Sequence, residues 1–313
     1  MVSMHRHWDA DDIPDLAGMN AVVTGATSGI GFRVAGQLAA SGAQVVMACR
    51  NPEKALAAAR AIGAGRPGPE PAVVIMDLAD LASVKAGASR IADQVDHLDI
   101  LVNNAGVMGI PRMVSPDGFE MQLATNLLGH YALTGMLMDL LSRAAAARVV
   151  SLGSIVHWFA KLDLDDLNAE QGYSKMGAYS QSKLATLLFA FELDRRLRAA
   201  GSPVSSLAAH PGWARTHLQS VGPEMSGAKL LGLLTELFTI VFAQSDAKGA
   251  LPVLRAATDP AIAGGAYVGP RGIGGLHGYP AECRRASRAA DAGLGTALWE
   301  RLSEMTGVSY LGS

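Results

Sequence analysis

A tyrosine and a lysine stand four residues apart in the sequence YSQSK, at Tyr179 and Lys183. Residues at this spacing share one face of a helix, and the apolar positions of residues 184–197 recur at helical spacing. A free phenol titrates near ~10, which is too high for proton transfer at neutral pH. A neighbouring ammonium favours the phenolate and makes the tyrosine usable as an acid or base. Because such a pair is common by chance, it needs support from the rest of the chain.

A glycine-rich turn near the start of the chain gives that support. An apolar run at residues 20–24 leads into TGATSGIG at residues 24–31, and residues 30–40 have a helical pattern. A strand, a glycine-rich turn and a helix in this order form a dinucleotide-binding unit. Gly25, Gly29 and Gly31 let the backbone approach a pyrophosphate at a helix N-terminus, where free N–H groups and the helix dipole favour an anion. The glycine spacing differs from G-x-G-x-x-G but serves the same physical purpose.

Two further motifs follow in order: NNAG at residues 103–106, and Ser154 upstream of the tyrosine–lysine pair. Together with the turn, they resemble the motifs of the short-chain dehydrogenase/reductase family, classical type. The resemblance extends from about residue 19 to about residue 267. Within this family, residues 48–51, 126–130 and 179–184 resemble the retinol-dehydrogenase-like branch.

Alternating strand and helix patterns predict an α/β fold, a single-domain doubly wound Rossmann fold. We expect a mainly parallel seven-stranded sheet with helices on both faces. The 313 residues, half of them hydrophobic, suffice for one large core. We therefore treat residues 1–313 as one NAD(P)-binding domain. It has an N-terminal tail at 1–17, a substrate-lid region at 213–246 and a C-terminal extension at 269–313.

The resemblance implies a catalytic set made of Asn126, Ser154, Tyr179 and Lys183. Tyr179 would transfer the hydroxyl proton, and Ser154 would hydrogen-bond the substrate oxygen as charge develops. Lys183 would bind the nicotinamide ribose and lower the tyrosine pKa. Asn126, which the pattern places on a helix, would hold a water that leads to the lysine.

The neighbours of the serine leave two alternatives open. Gly153 stands where the family carries a first serine, and Ser151 is an alternative to Ser154, although it aligns better with the preceding asparagine position. His157 is either a second hydrogen-bond donor or a packing residue. Trp158 and Phe159 are bulky and are expected to border the substrate.

The resemblance also implies a cofactor-binding set: Gly25, Thr27, Ser28, Gly29, Ile30, Gly31, Arg50, Asp77, Leu78, Asn104, Ala105, Gly106, Tyr179, Lys183, Pro211, Gly212 and Thr216. Asp77 would lie against the adenine and would also cap the helix that starts near residue 82. Pro211 and Gly212 would pass under the nicotinamide, and Thr216 would meet its carboxamide.

The end of the second predicted strand bears on the choice of cofactor. NAD-preferring enzymes place an acidic side chain there to hold the ribose 2′-hydroxyl. This chain has Cys49 at that position, followed by Arg50. An arginine can pair with a 2′-phosphate that a carboxylate would repel. We therefore expect NADP(H) to be preferred over NAD(H), the alternative being that Arg50 is only a solvated residue.

Charge and composition exclude several kinds of site. A net charge of −2 gives no case for nucleic acid, and two cysteines are too few for a disulfide framework. Asp163, Asp165 and Asp166 lack the glycine of an oxygen-ligand loop, so we expect a solvated loop and no metal. The first twelve residues contain no apolar signal region, and a cytoplasmic location is expected.

The apolar segment at residues 230–243 bears on substrate and partners. It is too short to span a membrane and lacks the basic face of a membrane-surface helix. We expect a hydrophobic pocket cover or a subunit contact rather than membrane association. With Trp158, Phe159 and Trp213, it favours a hydrophobic alcohol or carbonyl substrate that is retinoid-like, steroid-like or a lipid carbonyl. The resemblance implies a homo-oligomer that pairs through the helix bearing Tyr179.

These observations predict an NADP(H)-dependent oxidoreductase that interconverts an alcohol and a carbonyl. Two alternatives are a cofactor-binding scaffold or redox sensor without turnover, and an epimerase or dehydratase on the same fold. A scaffold need not keep the set of Ser154, Tyr179 and Lys183. Net oxidation of the cofactor would separate the oxidoreductase from an epimerase or dehydratase.

Overall fold

The computed structural model describes residues 7–65, 68–212 and 245–312. Its eight strands form one sheet. They are β1 (Asn20–Thr24), β2 (Gln44–Cys49), β3 (Ala72–Ile75), β4 (Ile100–Asn103), β5 (Arg148–Leu152), β6 (Ser205–Ala209), β7 (Tyr267–Pro270) and β8 (Pro280–Glu282).

The strand order is β3-β2-β1-β4-β5-β6-β7-β8, and all neighbours pair in parallel except β7 and β8, which are antiparallel. The first six strands have the doubly wound Rossmann order, which confirms the predicted fold class. The sheet has one strand more than the seven expected. β8 is only three residues long and begins at Pro280, so its sequence carries no strand pattern.

Helices cover both faces of the sheet. They are α1 (Gly29–Ala40), α2 (Pro52–Gly65), α3 (Leu81–Ala92), α4 (Met121–Leu123), α5 (Gly129–Met136), α6 (Met138–Arg143), α7 (Lys175–Ala199), α8 (Asp246–Thr258) and α9 (Ala292–Thr306). A π-helical turn, Ala124–Leu128, joins α4 to α5. Within the described ranges, no helix is long and apolar enough to cross a membrane.

Two hydrophobic clusters lie on opposite faces of the sheet because successive strand side chains alternate. In β1, Val22 belongs to one cluster, whereas Ala21 and Val23 belong to the other. All five β1 residues are buried, as expected for a parallel strand covered by helices on both sides.

The C-terminal helix α9 packs on α7, the helix that bears the tyrosine–lysine pair. Trp299 of α9 is fully buried and contacts the rings of Tyr131 and Phe189. The guanidinium of Arg196 lies 4.7 Å from the Trp299 ring. This part of α7, through which copies of the chain were expected to pair, therefore contacts a helix of its own chain.

Candidate active site

Ser154 and Tyr179 meet at the carboxyl edge of the sheet. β5 ends at Leu152, and Ser154 caps a short 3₁₀ helix, Ile155–Phe159, accepting a hydrogen bond from Val156 N–H at 3.4 Å. α7 begins after Ser174, whose side chain caps its first turn, and carries Tyr179 inward. The Ser154 hydroxyl is close enough to the Tyr179 phenol to lower the pKa of that phenol by hydrogen bonding to its charged form. Ser151, the alternative serine, is fully buried within β5.

Burial controls the proton affinity of the tyrosine. Desolvation raises the pKa of Tyr179 to about 12, and the hydrogen bond from Ser154 opposes that rise. A hydrogen bond donated to the phenolate favours the charged form, whereas a low-dielectric environment disfavours it. In the protein alone, Tyr179 is therefore a protonated phenol at neutral pH, ready to donate.

Lys183 lies on the same face of α7 and is also buried. Its Nζ donates to the Leu152 carbonyl oxygen at 2.8 Å and stands 6.0 Å from the centroid of the Tyr179 ring. Burial lowers the pKa of Lys183 to about 8. In the protein alone, the pKa of Tyr179 is raised by burial, and Lys183 Nζ is turned to the end of β5.

Asn126 lies in the π-helical turn, where the sequence pattern predicted an ordinary helix. π-turns are rare and occur often at functional sites. The Asn126 side chain accepts from Val107 N–H at 2.8 Å and donates to the Val107 carbonyl at 3.0 Å and to Ser182 Oγ at 2.9 Å. It thereby fixes the chain after β4 against α7. A Cβ built on Gly106 would lie 3.0 Å from Asn126 Oδ1 and 3.7 Å from Lys183 Nζ, so these three residues are neighbours.

His130 was not predicted as a site residue, yet it connects Asn126 to the first strand. Its Nδ1 lies 3.1 Å from the Asn126 carbonyl oxygen, and its Nε2 lies 2.9 Å from Thr24 Oγ1. Thr24 Oγ1 also accepts the N–H groups of Asn104 and Ala105 at 2.9 and 3.0 Å.

The surroundings of His130 determine its protonation state. Burial lowers the pKa of His130 to about 4, with a smaller contribution in the same direction from the charge of Lys183, whereas the hydrogen bond that the ring donates to the Asn126 carbonyl raises it. The ring is therefore neutral, and because a carbonyl only accepts, Nδ1 carries the proton. The sequence signal available was a histidine four residues after Asn126 on a buried helix face.

The glycine-rich turn between β1 and α1 fits a dinucleotide. A Cβ on Gly25 would lie 2.8 Å from Ala105 Cα, and one on Gly31 would lie 2.4 Å from Asn104 Nδ2. Gly29 has a φ of 57°, which favours glycine. The Ser28 side chain makes no capping hydrogen bond, and the first turn of α1 has no acidic residue. The N–H groups at this helix start are thus left for an anion.

The other expected residues around the turn lie where the motifs place them. Asn104 Nδ2 donates to the Thr24 carbonyl at 2.7 Å, which ties NNAG to the end of β1. Ile30 is buried, Ser28 is exposed and Thr27 is half-buried. The backbone of the turn is therefore held by Asn104, whereas its Ser28 side is open to solvent.

The ends of β2 and β3 contain one correction. Cys49 is buried, which raises its pKa to about 11, and Arg50 is exposed beside it. Asp77 does not cap the following helix: Asp80 does, accepting from Ala82 and Ser83 N–H. Asp77 instead accepts from Ala79 N–H at 3.0 Å, a local turn that still leaves it at the strand end with buried Leu78.

Residues after β6 close the other side of the crevice. Gly212 has a φ of 68°, and its N–H donates to His210 Nδ1 at 3.2 Å. A Cβ on Gly212 would lie 2.4 Å from the Leu276 carbonyl oxygen, so only glycine fits there beside Pro211. Thr216, Trp213, the segment 230–243 and nearly all of the lid region 213–246 lie outside the described residues.

Exposed apolar side chains surround the carboxyl edge. Trp158 and Phe159 follow Ser154, and the Phe159 side chain is 88% exposed. Met113 follows β4, and Met176 stands at the start of α7; both are exposed. This edge of the sheet presents large apolar groups on three separate segments.

The match to a family model decides the assignment. Residues 19–225 match the model described as short chain dehydrogenase. The chain belongs to the short-chain dehydrogenase family. The residues matched include the glycine-rich turn, NNAG, Ser154, Tyr179 and Lys183.

Retinol dehydrogenases are among its relatives, as the branch resemblance predicted. Human retinol dehydrogenase 13 is 43% identical over 204 residues, covering 65% of this chain and 61% of the relative. The chain thus spans about three fifths of that protein. Human retinol dehydrogenase 14 is 35% identical over 307 residues, covering 93% of this chain and 87% of the relative.

Solved structures agree on the fold. An uncharacterised protein from Mycobacterium paratuberculosis is 40% identical, with a TM-score of 0.80 over 97% of this chain and 99% of that chain. A structure described as an NAD(P)-dependent gluconate 5-dehydrogenase from Beutenbergia cavernae, with NADP bound at low occupancy, is 27% identical. Its TM-score is 0.60, over 79% of this chain and 92% of that chain.

Proposed function

We propose that this protein is an NADP(H)-dependent oxidoreductase that interconverts an alcohol and a carbonyl on a small hydrophobic substrate. The neighbouring side chains of Ser154 and Tyr179, close enough for the serine to lower the pKa of the phenol, carry the proposal. It lies at the carboxyl edge of the sheet, where ligands bind in doubly wound folds. Lys183 and Asn126 are beside it, and the glycine-rich turn opens onto the same edge.

The bound dinucleotide would supply hydride exchange, and the protein would supply position and proton transfer. In the reducing direction, the Tyr179 phenol donates its proton to the carbonyl oxygen, and in the oxidising direction it accepts the proton back. The Ser154 hydroxyl donates a hydrogen bond to the same oxygen as negative charge develops.

Lys183 and Asn126 support this transfer. With a pKa of about 8, Lys183 is mainly charged at pH 7 and can hold ribose hydroxyls. Asn126 anchors the segment after β4 through Val107 and so maintains the wall beside Lys183.

The end of β2 supports the choice of NADP(H). Cys49 supplies no carboxylate that would repel a 2′-phosphate, and the exposed Arg50 offers a bidentate partner for it. The Beutenbergia cavernae structure with bound NADP is consistent with this preference.

The substrate class rests on two observations. Trp158, Phe159, Met113 and Met176 are exposed at the edge where the substrate must enter. The named relatives are retinol dehydrogenases, whose name refers to a long apolar alcohol. An apolar aldehyde or alcohol is therefore the substrate to test first.

The decisive experiment follows NADPH oxidation by absorbance with retinaldehyde and medium-chain aldehydes, comparing wild type with Tyr179→Phe. We expect the variant to lose at least ~1,000-fold in kcat while binding NADPH with unchanged affinity, because only the proton donor is removed. Tyr279→Phe, on an exposed tyrosine, is the matched control and should retain full activity. Near-normal turnover by Tyr179→Phe would refute the catalytic assignment.

The cofactor preference is tested with Arg50→Ala, and the exposed Arg60 of α2 gives the matched control Arg60→Ala. We expect the ratio of kcat/KM with NADPH to that with NADH to fall ~10-fold or more only in Arg50→Ala. An unchanged ratio would show that Arg50 does not read the phosphate. NADPH binding without any turnover across the carbonyl panel would favour the scaffold alternative instead.

A further inference from the structure

His157 is the buried group closest to the catalytic serine that the proposed chemistry does not use. It is 1% exposed and lies in the 3₁₀ helix that Ser154 caps. Its ring Nδ1 lies 2.6 Å from the Ser154 carbonyl oxygen, and its backbone N–H donates to the same oxygen at 3.2 Å. His157 therefore contacts the Ser154 carbonyl oxygen through both its ring and its backbone N–H.

The other ring nitrogen of His157 has a hydrogen-bond partner in the C-terminal part of the chain. His157 Nε2 accepts the backbone N–H of Ala286 at 3.3 Å. Because the Ser154 carbonyl only accepts and the Ala286 N–H only donates, Nδ1 carries the proton and Nε2 has none. Burial lowers the pKa of His157, which keeps this neutral tautomer.

The segment after β8 is tied both to the sheet and to the serine turn. Cys283 N–H donates to the Tyr267 carbonyl at 2.7 Å, which continues the sheet. Arg288 donates to the Ala160 carbonyl at 2.8 Å, just after the 3₁₀ helix. Among the described residues of this segment, Ala286 is the one whose contact leads to Ser154, through His157.

Other titratable groups enclose the imidazole. The Tyr267 ring meets it edge-on, with centroids 5.5 Å apart, and His210 lies behind Tyr267 with centroids 5.0 Å apart. Burial raises the pKa of Tyr267 well above its usual value, and Cys283 and Tyr179 lie close enough to raise it further. Arg288 holds the end of the same turn.

We propose that His157 is a positioning residue of the catalytic centre, which aims the Ser154 hydroxyl at Tyr179 by fixing the Ser154 carbonyl to the C-terminal segment at Ala286. A carbonyl held on one side restricts the backbone of its own residue and hence the direction of the side chain. Ser154 in turn lowers the pKa of Tyr179 against burial. Loss of the His157 contact should therefore raise the pKa of Tyr179.

Two substitutions separate the two ring contacts. The side-chain amide of His157→Asn lies near the Nδ1 position and keeps a donor for Ser154. The longer amide of His157→Gln reaches toward the Nε2 position and keeps only the acceptor for Ala286. Arg288→Met removes the neighbouring contact to Ala160 and serves as the matched control for a loosened C-terminal segment.

This inference rests on the proposed function, and its kinetic test uses NADP⁺ with retinol over a range of pH. We expect His157→Gln to lower kcat ~10-fold and to move the midpoint of the kcat/KM profile upward by about half to one pH unit, with NADPH affinity unchanged. His157→Asn should recover most of both effects. Arg288→Met should lower the melting temperature without moving the midpoint.

The outcomes are distinguishable. A wild-type protein with no turnover on any alcohol or carbonyl refutes the proposed function. An active wild type whose midpoint is the same in His157→Gln refutes the positioning role, as does a shift of equal size in Arg288→Met. Independently of turnover, ¹⁵N NMR of the histidine rings should show His157 as the Nδ1–H tautomer at pH 7. An Nε2–H or a protonated ring would overturn the inference.

Discussion

Two buried histidines connect residues of the proposed catalytic set to opposite ends of the chain. His130 joins the Asn126 carbonyl to Thr24 at the end of β1, within the nucleotide-binding part. His157 joins the Ser154 carbonyl to Ala286, far beyond residue 225, where the family match ends. Both rings are kept neutral by burial.

The partners of the two histidines differ in a way that separates their effects. Thr24 also receives the N–H groups of Asn104 and Ala105, so His130 belongs to the frame of the cofactor turn. Ala286 contributes one backbone N–H from a peripheral segment, and its contact supports a single residue of the catalytic pair. The N-terminal side should therefore govern cofactor binding and stability, and the C-terminal side should govern the catalytic rate.

The largest expected effect is a loss of cofactor affinity, caused by a substitution at Gly31 in the glycine-rich turn of the N-terminal side. In Gly31→Ala, the new Cβ would meet Asn104 Nδ2 at 2.4 Å and the Gly25 carbonyl oxygen at 2.6 Å, so the turn must open. We expect about 3 kcal/mol less binding free energy, roughly a 100-fold higher Kd for NADPH by fluorescence titration. Gly36→Ala on the same helix meets only Ile62, at 3.6 Å, and should leave the Kd unchanged. Equal affinities in the two variants would contradict this account of the turn.

Acidification is expected to have an intermediate effect, on the free energy of unfolding. Burial lowers the pKa of His130 and of His210 to about 4, so the unfolded chain binds protons more readily than the folded one below about pH 6.5. The stabilisation is fully present above pH 6.5 and is lost as pH falls toward 4. Linkage gives on the order of 2 kcal/mol lost for each histidine at pH 5.

Urea unfolding at pH 7 and pH 5 measures this loss. His130→Asn should be less stable than wild type at pH 7, because it disrupts the contacts with Asn126 and Thr24. Its loss of stability on acidification to pH 5 should be smaller than that of wild type by on the order of 2 kcal/mol, the contribution of one histidine. A loss as large as that of wild type would mean that His130 does not titrate in this range.

The smallest expected effect is a change in stability, caused by a substitution at Tyr267 on the C-terminal side. Among the described residues, the buried Tyr267 hydroxyl has no hydrogen-bond partner, and it would lie 3.4 Å from a Cβ on Gly153. Tyr267→Phe removes a desolvated hydroxyl and should raise the free energy of unfolding by about 1 kcal/mol, measured by urea denaturation. kcat should stay within ~3-fold of wild type. A less stable variant would indicate that the hydroxyl is satisfied in solution.

Much of the nucleotide-binding part was predictable because its signals are local. The apolar run predicted at residues 20–24 is β1, and the glycine-rich turn connects it to α1 as expected. β8 was missed because three residues beginning with proline carry no alternation. The capping assignment was wrong at Asp77, because both Asp77 and Asp80 precede α3 and only geometry shows which carboxylate reaches its first N–H groups.

The sequence alone determined the strand–turn–helix order, the family and the shared face of Tyr179 and Lys183, because backbone periodicity and turn chemistry act between near neighbours. Only the tertiary structure decided that Lys183 turns to Leu152, that Asn126 lies in a π-turn and that His157 meets Ala286. Hydrogen bonds and desolvation depend on which distant segments pack together. His157 and Ala286 are separated by 129 positions in the sequence, and no local signal indicates that these two will meet.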